Sequence, residues 1–454
     1  MKRFLKILPI FLLIFAMLLT SCNKPSVDVS SDAVSEVVSD EKTSSADESD
    51  ETSSEAESSE DTSSKIDLTN VARLQNTYKL LTEEKKLTIG YLGGSITLGT
   101  SAKKTIKDGK VVGSDGSFED NYVCRVSSWF EETFPDAEIE TVNAGIADTT
   151  TAFGLYRLER HLMNTDGHDM PDLVFIEFTS NDGGNKDQII AQAESLIREI
   201  LEINPYCEIV IISTTINYTS NTARAAYIDV AQHNKFLFID VGKALAEAKI
   251  ARGAGKEVDG TYYYTVDNLH PSAEGYKLYT DQIIYMLEYH IAEGTGERIN
   301  RQEVLPETIS TLKLIDEPLM ITANEMTLTG NAQIIKSPLT AGMFLTSPDK
   351  TARYPVCDNY IRAGKGSSIS FKFNGNSIGM LIGLSSSNVN LRYKIDDGAW
   401  QTFLVDDQNH VGQKYDHNKL FMLSMKADDG EHTFTMEVRC DQAVRIGAFC
   451  VDGE

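Results

Sequence analysis

The stretch LTIGYLGGSITLG, residues 87–99, decides the fold of this 454-residue chain. Apolar residues open the stretch, and Gly93, Gly94 and Ser95 follow them. An apolar run that closes on glycine is typical of a β-strand and the turn after it. Glycines without Cβ atoms allow close approach of the backbone to a ligand, so the sequence predicts a strand whose end presents the Ser95 hydroxyl. The competing interpretation is a tight turn that only caps the next helix.

Short apolar runs alternate with amphipathic stretches from Leu87 to about Ala292. The predicted strands are LTIGYL, AEIETVNAG, DLVFIEFTSND, CEIVIIST and FLFIDVG. The predicted helices between and after them are Asn121–Phe134, Phe153–Met163, Ile189–Ile203, Ala223–His233 and Ala273–Ile291. This alternation indicates an α/β domain with a parallel sheet, in which ligands bind beyond the carboxyl ends of the strands.

A different periodicity follows a connecting region near residues 298–312. The segments SSISFKFNG, IGMLIGL, VNLRYKIDDG, EHTFTMEVR and VRIGAFCVDG read as short strands with a period of two, separated by turn residues. They predict an all-β sandwich. Because about 390 residues exceed what one core usually serves, we expect two domains, residues 66–297 and 310–454.

The first 65 residues have the composition of an export signal and a stalk. Three basic residues precede the apolar run Ile7–Leu19, which is short for a membrane span of about 20 residues and fits a signal peptide over residues 1–22. LTSC resembles the bacterial lipobox, which implies a lipidated Cys22; the alternative is an ordinary cleaved signal peptide. Residues 23–65 carry 13 acidic and 3 basic residues and predict a disordered, extended stalk. The expected location is a bacterial cell surface outside the cytoplasm.

The charge of the chain restricts its partners. The formal net charge is −25, of which −18 belongs to residues 66–454. An acidic protein repels the phosphates of nucleic acid, so a nucleic-acid partner is not expected, and neutral substrates are favoured over polyanions.

The cysteines do not indicate a metal site. Five follow Cys22, an odd number, and their spacing matches no zinc pattern. We therefore expect buried thiols rather than a disulfide framework, and Cys440 with Cys450 is the one pair to test as a disulfide.

A serine nucleophile needs a base and a carboxylate that orients the base. In VDNLHPSAEGY, Asp267 stands three residues before His270, just ahead of a predicted helix. A carboxylate at that spacing on a turn reaches the imidazole Nδ1 and leaves Nε2 to face a serine. The other histidines fit less well: we expect exposed positions for His161, His168 and His290, while His410, His417 and His432 lie in the β half.

A third element is Asn181 at the end of the run EFTSND. An asparagine at a strand end is usually turn chemistry. Its side-chain amide is also a neutral donor that suits the oxyanion of an acyl-transfer intermediate.

In this order and spacing, the motifs resemble the SGNH/GDSL hydrolase family of esterases over about residues 85–292. The matching blocks are Gly94-Ser95-Ile96-Thr97, VNAGIADTT at 142–150, Ser180-Asn181-Asp182 and Asp267-x-x-His270-Pro271. The resemblance implies an SGNH-type three-layer α/β domain in which Ser95 is the nucleophile, His270 the base and Asp267 the orienting acid. It implies an oxyanion hole formed by Ser95, Asp148 and Asn181, and acyl transfer without a metal or organic cofactor.

Two positions depart from the family pattern. The first block usually reads Gly-Asp-Ser, whereas Gly94 precedes the serine here, as in some carbohydrate-active branches. The second block usually has a glycine where this chain has Asp148. Because a carboxylate about 4 Å from an oxyanion repels it by roughly 4 kcal/mol at an effective dielectric of 20, we expect the Asp148 side chain to turn away or to bind a substrate hydroxyl.

The predicted β-sandwich, expected to be jelly-roll-like, narrows the substrate class. Family members with such a domain resemble carbohydrate O-acetylesterases, so we expect an acetylated polysaccharide or oligosaccharide as substrate. Trp400 and Tyr415, with Tyr354 and Tyr360, are candidate sugar contacts, although packing in the sandwich core is the more common role of such aromatics. The alternatives are a lipase or thioesterase of the same family, with a more apolar acyl pocket, and an inactive surface glycan-binding protein, suggested by Asp148.

Overall fold

The computed structural model describes residues 74–108, 110–116, 118–164, 168–253, 263–293, 297–337, 344–346, 353–355, 357–384, 389–405, 417–425 and 430–453. The predicted signal peptide and its Cys22, the predicted stalk, His410 and Tyr415 lie outside the described residues, so these assignments stay predictions. Among the helices of the described ranges, none is long and apolar enough to cross a membrane.

A five-stranded parallel sheet forms the centre of the first half. The strands up to this point are β1 (Lys86–Gly93), the small hairpin β2 (Thr105–Lys107) and β3 (Lys110–Val112), β4 (Glu138–Gly145), β5 (Leu173–Glu177), β6 (Glu208–Ser213) and β7 (Leu237–Asp240). The sheet order is β4-β1-β5-β6-β7. Gly93, at the carboxyl end of β1, is therefore in register with Gly145 on one side and Glu177 on the other. All five predicted strands are present.

Helices cover both faces of this sheet and make three layers. They are α1 (Gln75–Lys79), α2 (Ser95–Leu98), α3 (Tyr122–Thr133), α4 (Thr151–Tyr156), α5 (Lys186–Ile203), α6 (Thr222–Asn234), α7 (Val241–Arg252) and α8 (Ala273–His290). One apolar core lies between the sheet and α4, α5 and α6, and another between the sheet and α3, α7 and α8.

Two helical segments differ from the prediction. The predicted helix Phe153–Met163 is divided into α4 and a π-helical turn, Glu159–Met163, because the backbone leaves the helical conformation at Arg157. Helix α7 was not predicted. It begins directly where β7 ends, since the Asp240 side chain accepts a hydrogen bond from Lys243 N at 3.0 Å and caps the helix.

The second half is an antiparallel sandwich. Its strands are β8 (Pro318–Thr322), β9 (Thr327–Thr329), β10 (Gln333–Ile335), β11 (Phe344–Thr346), β12 (Arg353–Pro355), β13 (Tyr360–Ala363), β14 (Ser368–Asn374), β15 (Ile378–Leu384), β16 (Val389–Ile395), β17 (Gln401–Val405), β18 (His417–Ser424), β19 (Glu431–Val438) and β20 (Val444–Asp452). The inner sheet has the order β10-β13-β20-β15-β18, with β8 also paired to β20, and the outer sheet has the order β17-β16-β19-β14-β9. Apolar residues of both sheets, including Phe371, Phe434 and Phe449, share one core.

The inner sheet packs on the α/β domain as well as on the outer sheet. Leu381 of β15, Leu420 of β18 and Cys450 of β20 belong to the same apolar core as the residues of α4 and α5. Their strand neighbours, such as Met380 and Phe449, face the sandwich core instead. Both halves therefore belong to one compact unit, Ile66–Glu454.

The connecting region between the halves is fixed along α5. The Glu194 carboxylate accepts hydrogen bonds from Ile309 N and Ser310 N, each at 3.1 Å. Ser195 Oγ accepts another from Ile315 N at 2.9 Å. Because these donors belong to the connecting chain, the helix orients the sandwich that follows.

The predictions about cysteines and histidines differ in outcome. The five described cysteines are free thiols, as expected, and Cys207, Cys357 and Cys450 are buried, whereas Cys124 and Cys440 are half-buried. The pair singled out for a disulfide test is not bonded, because Cys450 faces the α/β core and Cys440 packs against the sandwich core. His161 and His290, predicted to be exposed, are buried, and His168 is half-buried. His161 lies in the π-helical turn, and the His290 ring packs edge-on against Tyr289 at the end of α8.

Candidate active site

Ser95 begins a very short helix at the carboxyl end of β1. The helix α2 runs only to Leu98, where Gly99 adopts a left-handed φ of 99° and ends it. Gly94 N donates to Glu177 O at 3.2 Å, which joins the turn to the neighbouring strand β5. Ser95 is 8 % exposed, so its hydroxyl lies in a largely dehydrated position at the edge of the sheet.

His270 and Asp267 complete a chain of hydrogen bonds from this serine. His270 Nε2 lies 2.8 Å from Ser95 Oγ, and His270 Nδ1 lies 2.7 Å from Asp267 Oδ2. An ionised carboxylate only accepts hydrogen bonds, so Nδ1 carries the proton and Nε2 accepts from the serine hydroxyl. This tautomer and direction are those that a general base for Ser95 requires.

The turn that carries these two residues is held by its own backbone. Asp267 Oδ1 accepts from His270 N at 2.7 Å and from Leu269 N at 3.1 Å. Between them, Asn268 adopts a left-handed φ of 66°, a conformation that asparagine tolerates better than most residues. The carboxylate therefore orients the backbone and the imidazole of the same turn.

Helix α8 connects this turn to the nucleophile. Ser272 caps the helix by accepting from Gly275 N at 3.3 Å. One turn further on, the buried Tyr276 hydroxyl lies 3.1 Å from Ile96 O and 3.0 Å from Thr100 O, at the helix that Ser95 begins. His270 and Ser95 thus lie next to elements that contact each other directly.

The charge on Asp267 is stabilised by its hydrogen bonds. Burial by itself would raise the pKa of this carboxyl, but the hydrogen bonds from the His270 ring, His270 N and Leu269 N outweigh it and lower the pKa to about 2. Asp267 therefore stays ionised at neutral pH, as an orienting carboxylate must.

Asn181 lies against the nucleophile turn. A Cβ placed on Gly94 would lie 2.4 Å from Asn181 Oδ1, so a larger residue there requires the Asn181 amide to move. In its present position the amide occupies the space into which a side chain at position 94 would extend. This contact gives a physical reason for Gly94 where the related motif has aspartate.

Asp148 has a backbone conformation that glycine favours, and its side chain reaches the other domain. Its φ is 59°, in the left-handed region, which aspartate enters more readily than most residues. Its Oδ1 lies 3.4 Å from Lys419 Nζ on β18. The loop that carries it is joined to the nucleophile strand, since Ile146 N donates to Gly93 O at 3.0 Å.

A buried glutamate beneath Ser95 was missed by the sequence analysis. Glu177 accepts from Thr97 Oγ1 at 2.9 Å and from Thr214 Oγ1 at 2.6 Å, and the Tyr122 hydroxyl lies 2.8 Å from Thr97 Oγ1. Burial raises the pKa of Glu177 to about 7, although these hydrogen bonds lower it. A charged residue inside the apolar run DLVFIEF was the available signal, because such a residue is seldom fully buried without a specific set of partners.

The buried Arg157 and the half-buried Asp182 also join the loops of the site. Arg157 Nη1 donates to Ala144 O at 2.7 Å, and Arg157 Nη2 donates to Gly93 O at 3.1 Å, at the ends of β4 and β1. Asp182 Oδ1 accepts from Thr151 N at 2.9 Å, and burial raises the pKa of Asp182 to about 6. Nothing in the local sequence distinguishes Arg157 from an exposed helical arginine.

The four aromatic residues predicted as sugar contacts differ in exposure and position, and their role stays a prediction. Trp400 is 39 % exposed beside the outer-sheet strand β17, with the Arg392 guanidinium 4.3 Å from its ring centroid. Tyr360 is half-buried on β13, and the side chain of Tyr354 on β12 lies outside what is described.

Within the described residues, no group of three or more His, Cys, Asp or Glu side chains is placed to hold a metal ion.

Comparison with known families agrees with this geometry. Residues 91–278 match the GDSL-like Lipase/Acylhydrolase family. The match runs from β1 into α8 and includes Ser95, Asp148, Asn181, Asp267 and His270. No curated protein matches the chain.

Two solved structures are similar to this chain over both domains. A two-domain esterase active on acetylated mannans has the same fold with a TM-score of 0.66 at 20 % identity, over 85 % of this chain and 98 % of that one. The structure of such an esterase crystallised with mannopentaose gives a TM-score of 0.64 at 19 % identity, over 85 % and 96 %. The two-domain fold of the described residues therefore also occurs in an esterase that is active on acetylated mannans.

Proposed function

We propose that this protein is a serine esterase that removes O-acetyl groups, or other short acyl groups, from a polysaccharide. The observation that carries the proposal is the continuous chain Ser95–His270–Asp267, with distances of 2.8 Å and 2.7 Å at the carboxyl edge of the sheet. A serine in hydrogen-bond contact with a base that is itself oriented by a carboxylate is suited to nucleophilic acyl transfer.

The mechanism follows from the same contacts. Ser95 Oγ attacks the ester carbonyl while His270 Nε2 takes its proton, and Asp267 stabilises the imidazolium that forms. Asn181 and the backbone N–H groups of Ser95 and Asp148 stabilise the oxyanion of the tetrahedral intermediate. His270 then gives this proton to the departing sugar oxygen, which leaves as a hydroxyl, and next takes a proton from the water that releases acetate from Ser95.

Three features support the substrate class. The two-domain esterase of the same fold is active on acetylated mannans. The net charge of −18 on residues 66–454 disfavours polyanionic substrates and is compatible with neutral acetylated glycans. The exposed Trp400 gives the sandwich one surface on which a sugar ring could stack.

The location proposed for this activity is the outside of a bacterial cell. Cys22 would carry the lipid anchor, and the acidic residues 23–65 would hold the enzyme away from the membrane on an extended chain. Labelling of the protein by a radioactive or clickable fatty acid, and its loss in Cys22→Ser, tests this part separately from catalysis.

The test of the activity is acetate release by the purified protein from a panel of acetylated mannans and xylans, with p-nitrophenyl acetate as a model ester. We expect release that is lost in Ser95→Ala and retained in Ser128→Ala, an exposed serine of α3. Absence of release from every substrate would reject the esterase and favour a glycan-binding protein.

A further inference from the structure

An ion pair between the two domains lies beside the nucleophile turn. Lys419 projects from β18, the last strand of the inner sheet, and its Nζ lies 3.4 Å from Asp148 Oδ1. The side chains of Lys419 and Asp148 are only 25 % and 28 % exposed. Their interaction is therefore screened less by salt than that of a surface pair.

The loop of Asp148 contacts the backbone of the nucleophile strand. Gly93 O accepts from Ile146 N at 3.0 Å, and Thr149 Oγ1 lies 3.4 Å from the same oxygen. The two residues between these contacts, Ala147 and Asp148, are therefore held next to the turn that presents Ser95. In the proposed mechanism the Asp148 N–H contacts the oxyanion, so a charge on the Asp148 side chain acts on the charge that develops there.

The negative charge of Asp148 is not explained by its backbone. A φ of 59° is accommodated by glycine best and by asparagine as well as by aspartate. An uncompensated carboxylate near a developing oxyanion opposes the reaction that the oxyanion hole promotes. A counter-charge therefore favours a charged residue at this position, and Lys419, which belongs to the other domain, provides one.

We propose that Lys419 of the β-sandwich is a positioning residue of the active site, which neutralises Asp148 and holds the Asp148 carboxylate turned away from the oxyanion. This inference rests on the proposed esterase function and adds a role for the sandwich that does not depend on sugar binding. The α/β domain then carries the catalytic residues. The sandwich supplies Lys419, whose positive charge offsets the negative charge of Asp148.

The experiment is a double-mutant cycle on the purified protein with p-nitrophenyl acetate, a substrate too small to contact a glycan-binding surface. Lys419→Met removes the charge but keeps an unbranched side chain, and we expect it to lower kcat roughly ten- to a hundredfold with little change in KM. That range lies below the roughly 10²–10³-fold effect of deleting an oxyanion donor. In the Asp148→Asn background, the same Lys419→Met change should alter kcat by less than about twofold, because no carboxylate is left to neutralise.

Two further variants separate charge from structure. Lys419→Arg should restore most of the kcat lost in Lys419→Met, since arginine keeps the charge. Lys372→Met removes a lysine of the outer sheet, paired with Glu431 at 2.7 Å and largely exposed, and should leave kcat unchanged.

The outcomes are distinguishable from those of the esterase test. A kcat loss in Lys419→Met that is equally large with Asp148→Asn, or no loss at all, would overturn the role of Lys419 while leaving the esterase intact. Wild-type protein without p-nitrophenyl acetate activity would reject the esterase and, with it, the electrostatic role proposed for Lys419.

Discussion

At the scale of single residues, the local spacing of the motifs predicted the candidate triad. Asp267 and His270 stand on one turn, so their contact depends on three residues of chain and could be inferred from the sequence. The contact of Gly94 with Asn181 brings two strands together and depends on their register, which no short stretch encodes. The same limit explains why the partner of Asp148 was unknown until β18 was placed.

The close approach of Asn181 to Gly94 gives the first prediction. Gly94→Ala should displace the Asn181 amide, because its Cβ would lie 2.4 Å from Oδ1, and should lower kcat by roughly 10²–10³-fold, as loss of an oxyanion donor does. Steady-state kinetics of Gly94→Ala, Asn181→Ala and the double variant measure the effect. The double variant should resemble Asn181→Ala alone, because both changes act on one group.

Gly183 provides the matched control in the same loop. A Cβ on Gly183 meets no atom within 4 Å, so Gly183→Ala should keep wild-type kcat. Fully additive losses in the Gly94→Ala and Asn181→Ala double variant would show that the two residues act independently, contrary to this interpretation.

The buried Glu177 makes stability depend on pH. Its pKa is raised from 4.5 to about 7 because burial disfavours the charged form. The unfolded state therefore loses its proton at lower pH than the folded state, and the contribution to stability present below pH 4.5 is lost as the pH rises to about 7. Since Gln imitates the protonated form, the free energy of unfolding of Glu177→Gln should rise relative to wild type across this window.

Denaturant unfolding of both proteins at a series of pH values tests this prediction. Asp182→Asn is the comparison, because the pKa of Asp182 is raised from 3.8 to about 6 and its window should end about one unit lower. A difference between wild type and Glu177→Gln that stays constant from pH 4.5 to 7, or that changes in the opposite direction, would contradict the burial argument.

At the scale of elements, alternating apolar runs predicted the five parallel strands and most helices of the α/β domain, because that pattern is local. The hydrogen bonds between the loops that follow different strands join residues far apart in the chain, so the pattern does not predict them. Helix α4 begins at Thr151, whose N–H is capped by Asp182 from the neighbouring loop rather than by its own N-cap residue, Thr150. Asp182 therefore joins the loop of Asn181 to the loop of Asp148.

Removal of this cap should affect both stability and catalysis. Asp182→Ala removes the acceptor of the Thr151 N–H and one of the two partners of the Thr151 hydroxyl, so we expect a loss of about 1–3 kcal/mol in the free energy of unfolding. Because the loops on either side of Ser95 lose their connection, kcat should also fall, by roughly ten- to a hundredfold. Denaturant unfolding and steady-state kinetics on one preparation measure the two effects.

An ordinary helix cap distinguishes the two effects. Asn221 Oδ1 accepts from Arg224 N at 2.7 Å and caps α6 from within its own chain segment. Asn221→Ala should cost about 1 kcal/mol and leave kcat unchanged. If Asp182→Ala also left kcat unchanged, its carboxylate would be a cap like any other.

At the scale of the complete chain, the sequence pattern predicted two domains but not the apolar core that they share. The period of two that was assigned to IGMLIGL and VRIGAFCVDG is wrong: IGMLIGL and IGAFCV are continuous apolar runs, which is the pattern of strands buried on both faces. The structure shows the reason: β15 and β20 place alternate residues in the sandwich core and in the core of the α/β domain. Which surface covers the second face is a long-range property that periodicity does not encode.

The shared core predicts that both domains unfold together. The chain has two tryptophans, Trp129 on α3 of the α/β domain and Trp400 beside β17 of the outer sheet. In Trp129→Phe and Trp400→Phe, the remaining tryptophan reports the unfolding of one domain, and we expect the two fluorescence transitions to have the same midpoint. Leu381→Ala should lower the midpoint seen by either tryptophan by the same amount, with a loss of about 2–5 kcal/mol, because Leu381 is fully buried in the core between the domains. Separate midpoints, or a shift confined to the Trp400 signal, would mean that the sandwich folds independently and that Lys419 is brought to Asp148 by docking alone.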